Sequence, residues 1–247
     1  KRTNLFGEGR VNKAMNIVMS FSPEWTEYAK VTLYSLMQTN RVDKVYLVTD
    51  YDPKGFPDSC IHINPAEVLR KYITTKVNLN CREKTYCFYK LILPRLINDD
   101  KVLHIDADAL VIGDISEYYN TDLTGYIMAG VEDIELARGY KQKIGLASDD
   151  TYINAGIILF NLPELDKVFD KLIERVNTTW YLGNEQCILN ITAKGKIKTV
   201  DSRFNASLST GYPDDIRIMH YAGPKPWSVA SRYSDVWQDW RQAYAIR

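Results

Sequence analysis

Two aspartates one residue apart, Asp106 and Asp108, stand directly after the apolar run Val102-Leu103-His104-Ile105. Such a run reads as a buried strand. At a strand's C-terminal end the chain can turn out of the pleat, so both carboxylates can reach a crevice. Two hard oxygen donors so placed suit Mg²⁺ or Mn²⁺, which keep remaining coordination positions for phosphate oxygens. The plainer reading has one aspartate capping the next turn and the other solvated; the apolar strand before the pair tips the balance toward metal. A second candidate region is Ser202–Trp227, which carries Gly211, Gly223, Pro213, Pro224 and Pro226 with little periodicity. A structureless stretch of that length within a domain reads as functional, with His220 and Lys225 as its payload.

The elements that must position these groups alternate in type. Met15–Met19, Lys44–Val48, Val102–Ile105, Tyr126–Val131, Ile157–Phe160 and Ile197–Val200 read as strands. Glu24–Gln38, behind a Ser22 cap and Pro23 in the first turn, reads as a helix, as do Leu165–Val176 and Glu185–Thr192. Arg82–Ile97 has helical periodicity that Pro94 must kink or end. Strands alternating with helices imply crossovers and a mostly parallel sheet, with a ligand crevice at the strand C-termini. After the strand ending at Val48, Asp50 is a candidate for the base or ribose of a nucleotide, or else a turn residue; Ser20 and Ser22 are candidates near the first strand's end. Ser234–Tyr244 brings Val236, Trp237, Trp240 and Tyr244 to one helical face, which reads as a C-terminal helix of about 234–246 docking on the core.

The chain has 247 residues, 45% of them hydrophobic, and its 31 basic and 31 acidic residues balance. That length suits one domain with its own core, without disulfides. The charge balance argues against duplex nucleic acid as a partner, though not against a small basic pocket for an anionic metabolite. Apolar stretches such as Ile153–Phe160 fall far short of the ~20 residues that span a bilayer. Cys60, Cys81, Cys87 and Cys187 form no C-x-x-C pair and read as free thiols; His62 and His104 read as ordinary packed histidines. Sequons at Asn177, Asn190 and Asn205 carry little weight. No signal peptide is visible, but the chain starts at Lys1 rather than Met. The cytoplasm is favoured, with a Golgi or other lumenal setting left open.

Asp106-Ala107-Asp108 within KVLHIDADALVIGDISEYY resembles the metal-binding signature of the retaining glycosyltransferases of family 8. Further segments are similar in order and spacing over about residues 15–228: Ser20–Ser35, Tyr152–Asn161, Asn184–Asn190, Gly195–Ile197 with Asp201–Asn205, and His220–Trp227. The resemblance implies a single GT-A type domain over 1–247, that is, an α/β Rossmann-like, mostly parallel sheet flanked by helices. It implies a UDP-sugar donor, a divalent metal (Mn²⁺ or Mg²⁺), and hexose transfer to an acceptor hydroxyl with same-face attack. By motif match Asp106, Asp108 and His220 are the metal ligands, and a neutral imidazole is an acceptable third donor. Lys225 grips the diphosphate and Gly223 permits close backbone approach, with Ala107 also beside the nucleotide. Asp133 and Asn154 match donor-sugar contacts. Gln186 matches the residue near the anomeric carbon, with Glu185 as an alternative nucleophile or hydroxyl binder. The chain departs from the pattern at Lys90, where arginine is usual, and at Glu185 and Cys187, where aspartates are usual. Those departures touch the identity of the sugar rather than the metal site.

Two other readings compete. A catalytically inactive nucleotide-sugar-binding module would leave Asp106, Asp108, His220 and Lys225 without work. A haloacid-dehalogenase-type phosphatase would have its Asp-x-Asp near the chain start, whereas here 105 residues precede it. The acceptor (glycan, lipid-linked or protein) and a homodimer are left open.

Overall fold

The computed structural model describes residues 15–74, 82–228 and 232–246, excepting the side chains of 82–84, 136 and 137. Cys81 lies outside the described residues. The strands are β1 Met15–Ser20, β2 Val42–Val48, β3 Cys60–Ile63, β4 Lys101–Ile105, β5 Ala109–Val111, β6 Met128–Glu132, β7 Ile153–Asn161, β8 Ile197–Thr199 and β9 Ile218–His220. The α-helices are α1 Thr26–Thr39, α2 Ala66–Tyr72, α3 Ser116–Tyr119, α4 Ile134–Tyr140, α5 Leu162–Asp166, α6 Phe169–Thr178, α7 Asn184–Thr192 and α8 Ser234–Ala245. A seven-stranded sheet runs β3-β2-β1-β4-β7-β6-β8, and β5 and β9 form a separate two-stranded ribbon. Only β7 runs against its sheet neighbours, pairing antiparallel with β4 and β6. The fold is α/β and Rossmann-like, of GT-A type.

Alternate residues of β1 feed two cores. Ile17 and Met19 pack under α1 with Ala29, Leu33 and Leu36. Val18 faces the other side, with Phe88 and Leu91 and with Ile188 and Leu189 of α7. Each such aliphatic side chain contributes about 1.5–3 kcal/mol by leaving water. β7 is buried along eight of its nine residues, because helices cover both faces of the central sheet. Thr32 of α1 reaches over the turn after β4, its hydroxyl 3.0 and 2.7 Å from the carbonyl oxygens of Ala107 and Ala109. The first helix therefore clamps the backbone that carries both aspartates.

Several expectations need correction. The stretch from Arg82 is a 3₁₀ helix over Arg82–Arg95 with Pro94 inside it; at this length an apolar period of three is hard to tell from 3.6. The helix expected over Leu165–Val176 is two, α5 and α6. Ser22 sits at the cap position but makes no cap bond, its hydroxyl donating instead to Glu24 at 2.6 Å. Ser202–Trp227 is not structureless: it opens with a 3₁₀ turn, Ser202–Phe204, and contains β9. Asn190 and Asn205 are buried and hydrogen-bonded, so those sequons are closed to modification in the folded chain. Among the described residues Cys60 and Cys187 carry free thiols. Among the described residues no helix is long and apolar enough to cross a membrane.

Asp99, before β4, accepts from Lys44 Nζ at 2.8 Å and from the Tyr46 hydroxyl at 2.6 Å. Its partial burial opposes ionisation, but those two donors outweigh it and hold the carboxyl below the usual range. A depressed folded value means that this stability is fully present above the unfolded aspartate pKa and is lost as pH falls through the folded one. Asp99→Asn is expected to lower the melting temperature most at neutral pH and to flatten its fall below about pH 4, where the wild type itself loses this contribution. An unchanged slope of melting temperature against pH would refute this.

Candidate active site

The site forms where β1 and β4 end. Asp106 follows β4 directly, and its N–H donates to Gly156 O of β7 at 2.9 Å. Asp108 then leads into β5, whose first residue Ala109 pairs with His220 in β9. That pairing brings His220 Nε2 to 3.4 Å from Asp108 Oδ1. Asp106, Asp108 and His220 each offer one ligand atom, all within 4.8 Å of one another. The cluster joins residues from two distant parts of the sequence.

The imidazole has room only because residue 156 is glycine. A Cβ there would lie 2.1 Å from Cε1 and 2.6 Å from Nε2 of His220. The other ring nitrogen, Nδ1, is 2.9 Å from Asn205 Oδ1. Lys225 Nζ lies 2.5 Å from the remaining Asp108 oxygen, donates to Tyr221 O at 2.8 Å, and sits 5.4 Å over the Trp25 ring. Burial opposes ionisation of Asp108, but His220 and Lys225 outweigh it and hold that carboxyl well below its usual range. Asp106 goes the other way: burial, with Asp108 beside it, pushes its carboxyl up against the pull of Lys90.

Lys90, 1% exposed on the 3₁₀ helix, lies 3.0 Å from Asp106 and 3.5 Å from Glu185, and donates to Ala155 O at 2.8 Å. Burial alone would lower its pKa; the two carboxylates outweigh that and raise it above the usual lysine value. Glu185 is pushed up by burial and by Asp106, with Lys90 opposing. The pair is bound together at the start of α7, where Asn184 adopts a left-handed φ of 44°. Asparagine tolerates that region better than most residues.

A cavity of about 450 Å³ opens over these groups. Of the residues expected at the site, Ser20, Asp106, Ala107, Asp108, Glu185, Gln186, Gly223 and Lys225 line it. Asp133, Asn154, His220 and Lys90 are buried. Asp133 accepts from Asn154 at 3.2 Å and from Gln186 Nε2 at 3.0 Å. Ser22, half-buried, and Asp50, exposed at the end of β2, do not line the cavity. His104 packs beside the site, its Nε2 3.0 Å from the Ser20 hydroxyl. Trp25, Tyr86 and Cys87 also line the cavity, and sequence reasoning passed over them. An aromatic at the cap position of the first α-helix after β1 was the available signal for Trp25. Asn205 was passed over too, because its partners are remote in sequence.

Comparison with known proteins agrees with this geometry. The family model for glycosyl transferase family 8 matches residues 16–230. A Haemophilus influenzae protein described as a glycosyltransferase is 26% identical, the match covering 86% of this chain and 72% of that protein. The lipopolysaccharide 1,3-galactosyltransferase of Salmonella typhimurium is 30% identical over 70% of this chain and 57% of its own length. The chain thus spans little more than half of that relative. Among solved structures, the galactosyltransferase LgtC in complex with donor and acceptor sugar analogues superposes with a TM-score of 0.74 at 24% identity, covering 93% of this chain and 96% of that one. Mouse xyloside xylosyltransferase 1 gives 0.60 at 14% identity, with 85% and 98% covered. With the sheet order, the paired aspartates and a model match over most of the sequence all in accord, the chain belongs to glycosyl transferase family 8.

Proposed function

We propose that this glycosyltransferase moves a hexose from a UDP-sugar to an acceptor hydroxyl with retention of configuration, using a divalent cation held by Asp106, Asp108 and His220. The observation that carries this reading is the convergence of three ligand atoms within 4.8 Å at a cavity that Lys225 also lines. The donor set, two carboxylates and an imidazole, fits Mn²⁺ or Mg²⁺. When bound, the cation supplies Lewis-acid stabilisation of charge on the departing diphosphate.

The chain's own groups do the rest. Lys225 offers an ammonium to phosphate oxygens, and Gly223 leaves its backbone approachable beside them. Asp133 holds sugar hydroxyls, itself held by Asn154 and Gln186. Gln186 Oε1 already accepts from Ala155 N–H at 2.9 Å, so its amide is oriented by the backbone rather than free to attack carbon. The bond between the anomeric carbon and the β-phosphate oxygen breaks. The acceptor oxygen then bonds to that carbon on the same face, and its proton passes to the departing phosphate. The acceptor is read as a glycan, in keeping with the lipopolysaccharide named for the Salmonella relative.

Asp106, Asp108, Glu185 and Asp133 outnumber Lys90 and Lys225, so carboxylates dominate the site's charge. A diphosphate entering alone meets net repulsion, and a divalent cation removes it. UDP is therefore expected to raise the melting temperature only when Mn²⁺ is present, and EDTA to reverse the gain. At a hundredfold excess over Kd the stabilisation is about 2.7 kcal/mol, or about 5–10 °C for a chain of this size. Mn²⁺-dependent hydrolysis across a panel of UDP-sugars then separates an enzyme from a binding module. Equal stabilisation by UDP with and without Mn²⁺ would overturn the metal reading, and absence of hydrolysis and transfer with every sugar would overturn the enzymatic one.

A further inference from the structure

A run of hydrogen bonds links the sugar end of the site to the imidazole, and its direction is fixed at Gln186 and at Asn154 by backbone N–H groups. Ala155 N–H donates to Gln186 Oε1, so Nε2 must be the end that faces Asp133. Gly156 N–H donates to Asn154 Oδ1 at 3.0 Å, so Asn154 also turns its Nδ2 to Asp133. Asn154 Oδ1 accepts a second bond, from Asn205 Nδ2 at 3.0 Å. The carbonyl end of Asn205 is thereby the one left facing His220 Nδ1, at 2.9 Å. A backbone amide cannot exchange donor for acceptor, so none of these side-chain amides can be reversed without stranding a buried N–H.

The consequence falls on the imidazole. An amide carbonyl only accepts, so the Nδ1 facing it carries the proton. In the neutral ring the lone pair then sits on Nε2, directed at Asp108 Oδ1. Two acceptors facing each other at 3.4 Å repel unless a cation or a proton lies between them. Asn205 is fully buried, its backbone N–H donates to Ser202 O, and its carbonyl accepts from the Thr210 hydroxyl. The side chain has no freedom to leave this post.

We infer that Asn205 is a positioning residue that locks His220 in the Nδ1–H tautomer, so that Nε2 is presented bare to the cation. This rests on the metal site proposed above, and it also makes Asp133 and His220 ends of one connected device, running through Asn154 and Asn205. Outer partners of this kind typically change metal affinity by about 10–100-fold when removed.

The test has two readouts. Long-range ¹H–¹⁵N spectra of the metal-free protein, at a pH alkaline enough to leave the rings neutral, report which nitrogen of His220 is protonated. The wild type is expected in the Nδ1–H form, and Asn205→Leu is expected to shift to the Nε2–H form. Mn²⁺ titration in the presence of UDP, followed by the electron paramagnetic resonance of the free ion, is expected to show about 10–100-fold weaker binding by Asn205→Leu. Asn205→Asp keeps an acceptor for Nδ1–H while giving up the donor to Asn154. It is expected to keep the tautomer and to bind Mn²⁺ more tightly than the leucine variant. An Nε2–H wild type overturns the inference, as does an Asn205→Leu protein with undiminished affinity. If the aspartate variant keeps the tautomer yet loses as much affinity as leucine, the tautomer is not what Asn205 supplies. A wild type that binds no Mn²⁺ would sink the metal reading instead, while the spectra still decide whether Asn205 sets the ring. Because the wild-type spectrum alone answers that question, misfolding of a variant does not remove the test.

Discussion

Asp108→Asn is expected to lower Mn²⁺-dependent turnover of UDP-sugar by about three orders of magnitude, the several kcal/mol that a coordinated cation contributes to a transition state of growing phosphate charge. The substitution keeps size and shape. It removes the charge that Lys225 and His220 share, and it brings an amide N–H to a position 3.4 Å from the imidazole. That N–H can bond the Nε2 lone pair directly, so the site satisfies itself without an ion. Lys225, partly exposed, can turn to water, which keeps the structural penalty small. Near-ultraviolet circular dichroism should match the wild type while isothermal titration shows no Mn²⁺ uptake in the presence of UDP. A variant that retains metal-dependent turnover would remove Asp108 from the chemistry and with it the proposed site.

Gly156→Ala is expected to be nearly as damaging, although it changes no charge and adds one methyl group. The new carbon would lie 2.1 Å from the His220 ring, and it sits on β7, a central strand that cannot back away. The ring must yield instead, and Asn205 holds it from the other side. We expect about 1–3 kcal/mol of lost stability from overpacking and Mn²⁺ binding weakened by at least about 100-fold, beyond what loss of an outer partner alone brings. Thermal denaturation and Mn²⁺ titration read the two effects separately. Wild-type affinity in this variant would mean that the imidazole does not occupy the place described.

How much of this was legible in sequence depends on how local each signal is. The paired aspartates are announced by the strand they terminate, and both lie within one short segment that needs nothing remote to interpret it. His220 and Lys225 stood out as the payload of an apparent loop, but their roles, and that of Gly223, became readable only through a family resemblance. β9 is too short to show a strand period, and what makes it a strand is its pairing with β5, far away in the chain. β3 escaped notice for a related reason: as an edge strand, half exposed, it lacks an apolar run. Lys90 shows the limit most plainly. Its position in a helical pattern says nothing of burial, and only the fold reveals that Asp106, Glu185 and a carbonyl surround it. Asn205 sat in a sequon, which points outward to solvent; its three buried hydrogen bonds point the opposite way.

The β5–β9 ribbon has a consequence for how such a protein is made. Its second strand is the last among the described residues, and it delivers the imidazole. The strands β1 through β8 precede it in the sequence, so both carboxylates are made before their third companion. Premature termination ahead of that strand would leave a fragment without the imidazole. A one-place slip in the ribbon would point the ring to the opposite side and leave an intact-looking but silent protein. Pairing of β9 with β5 thus acts as a latch that completes the three-residue cluster.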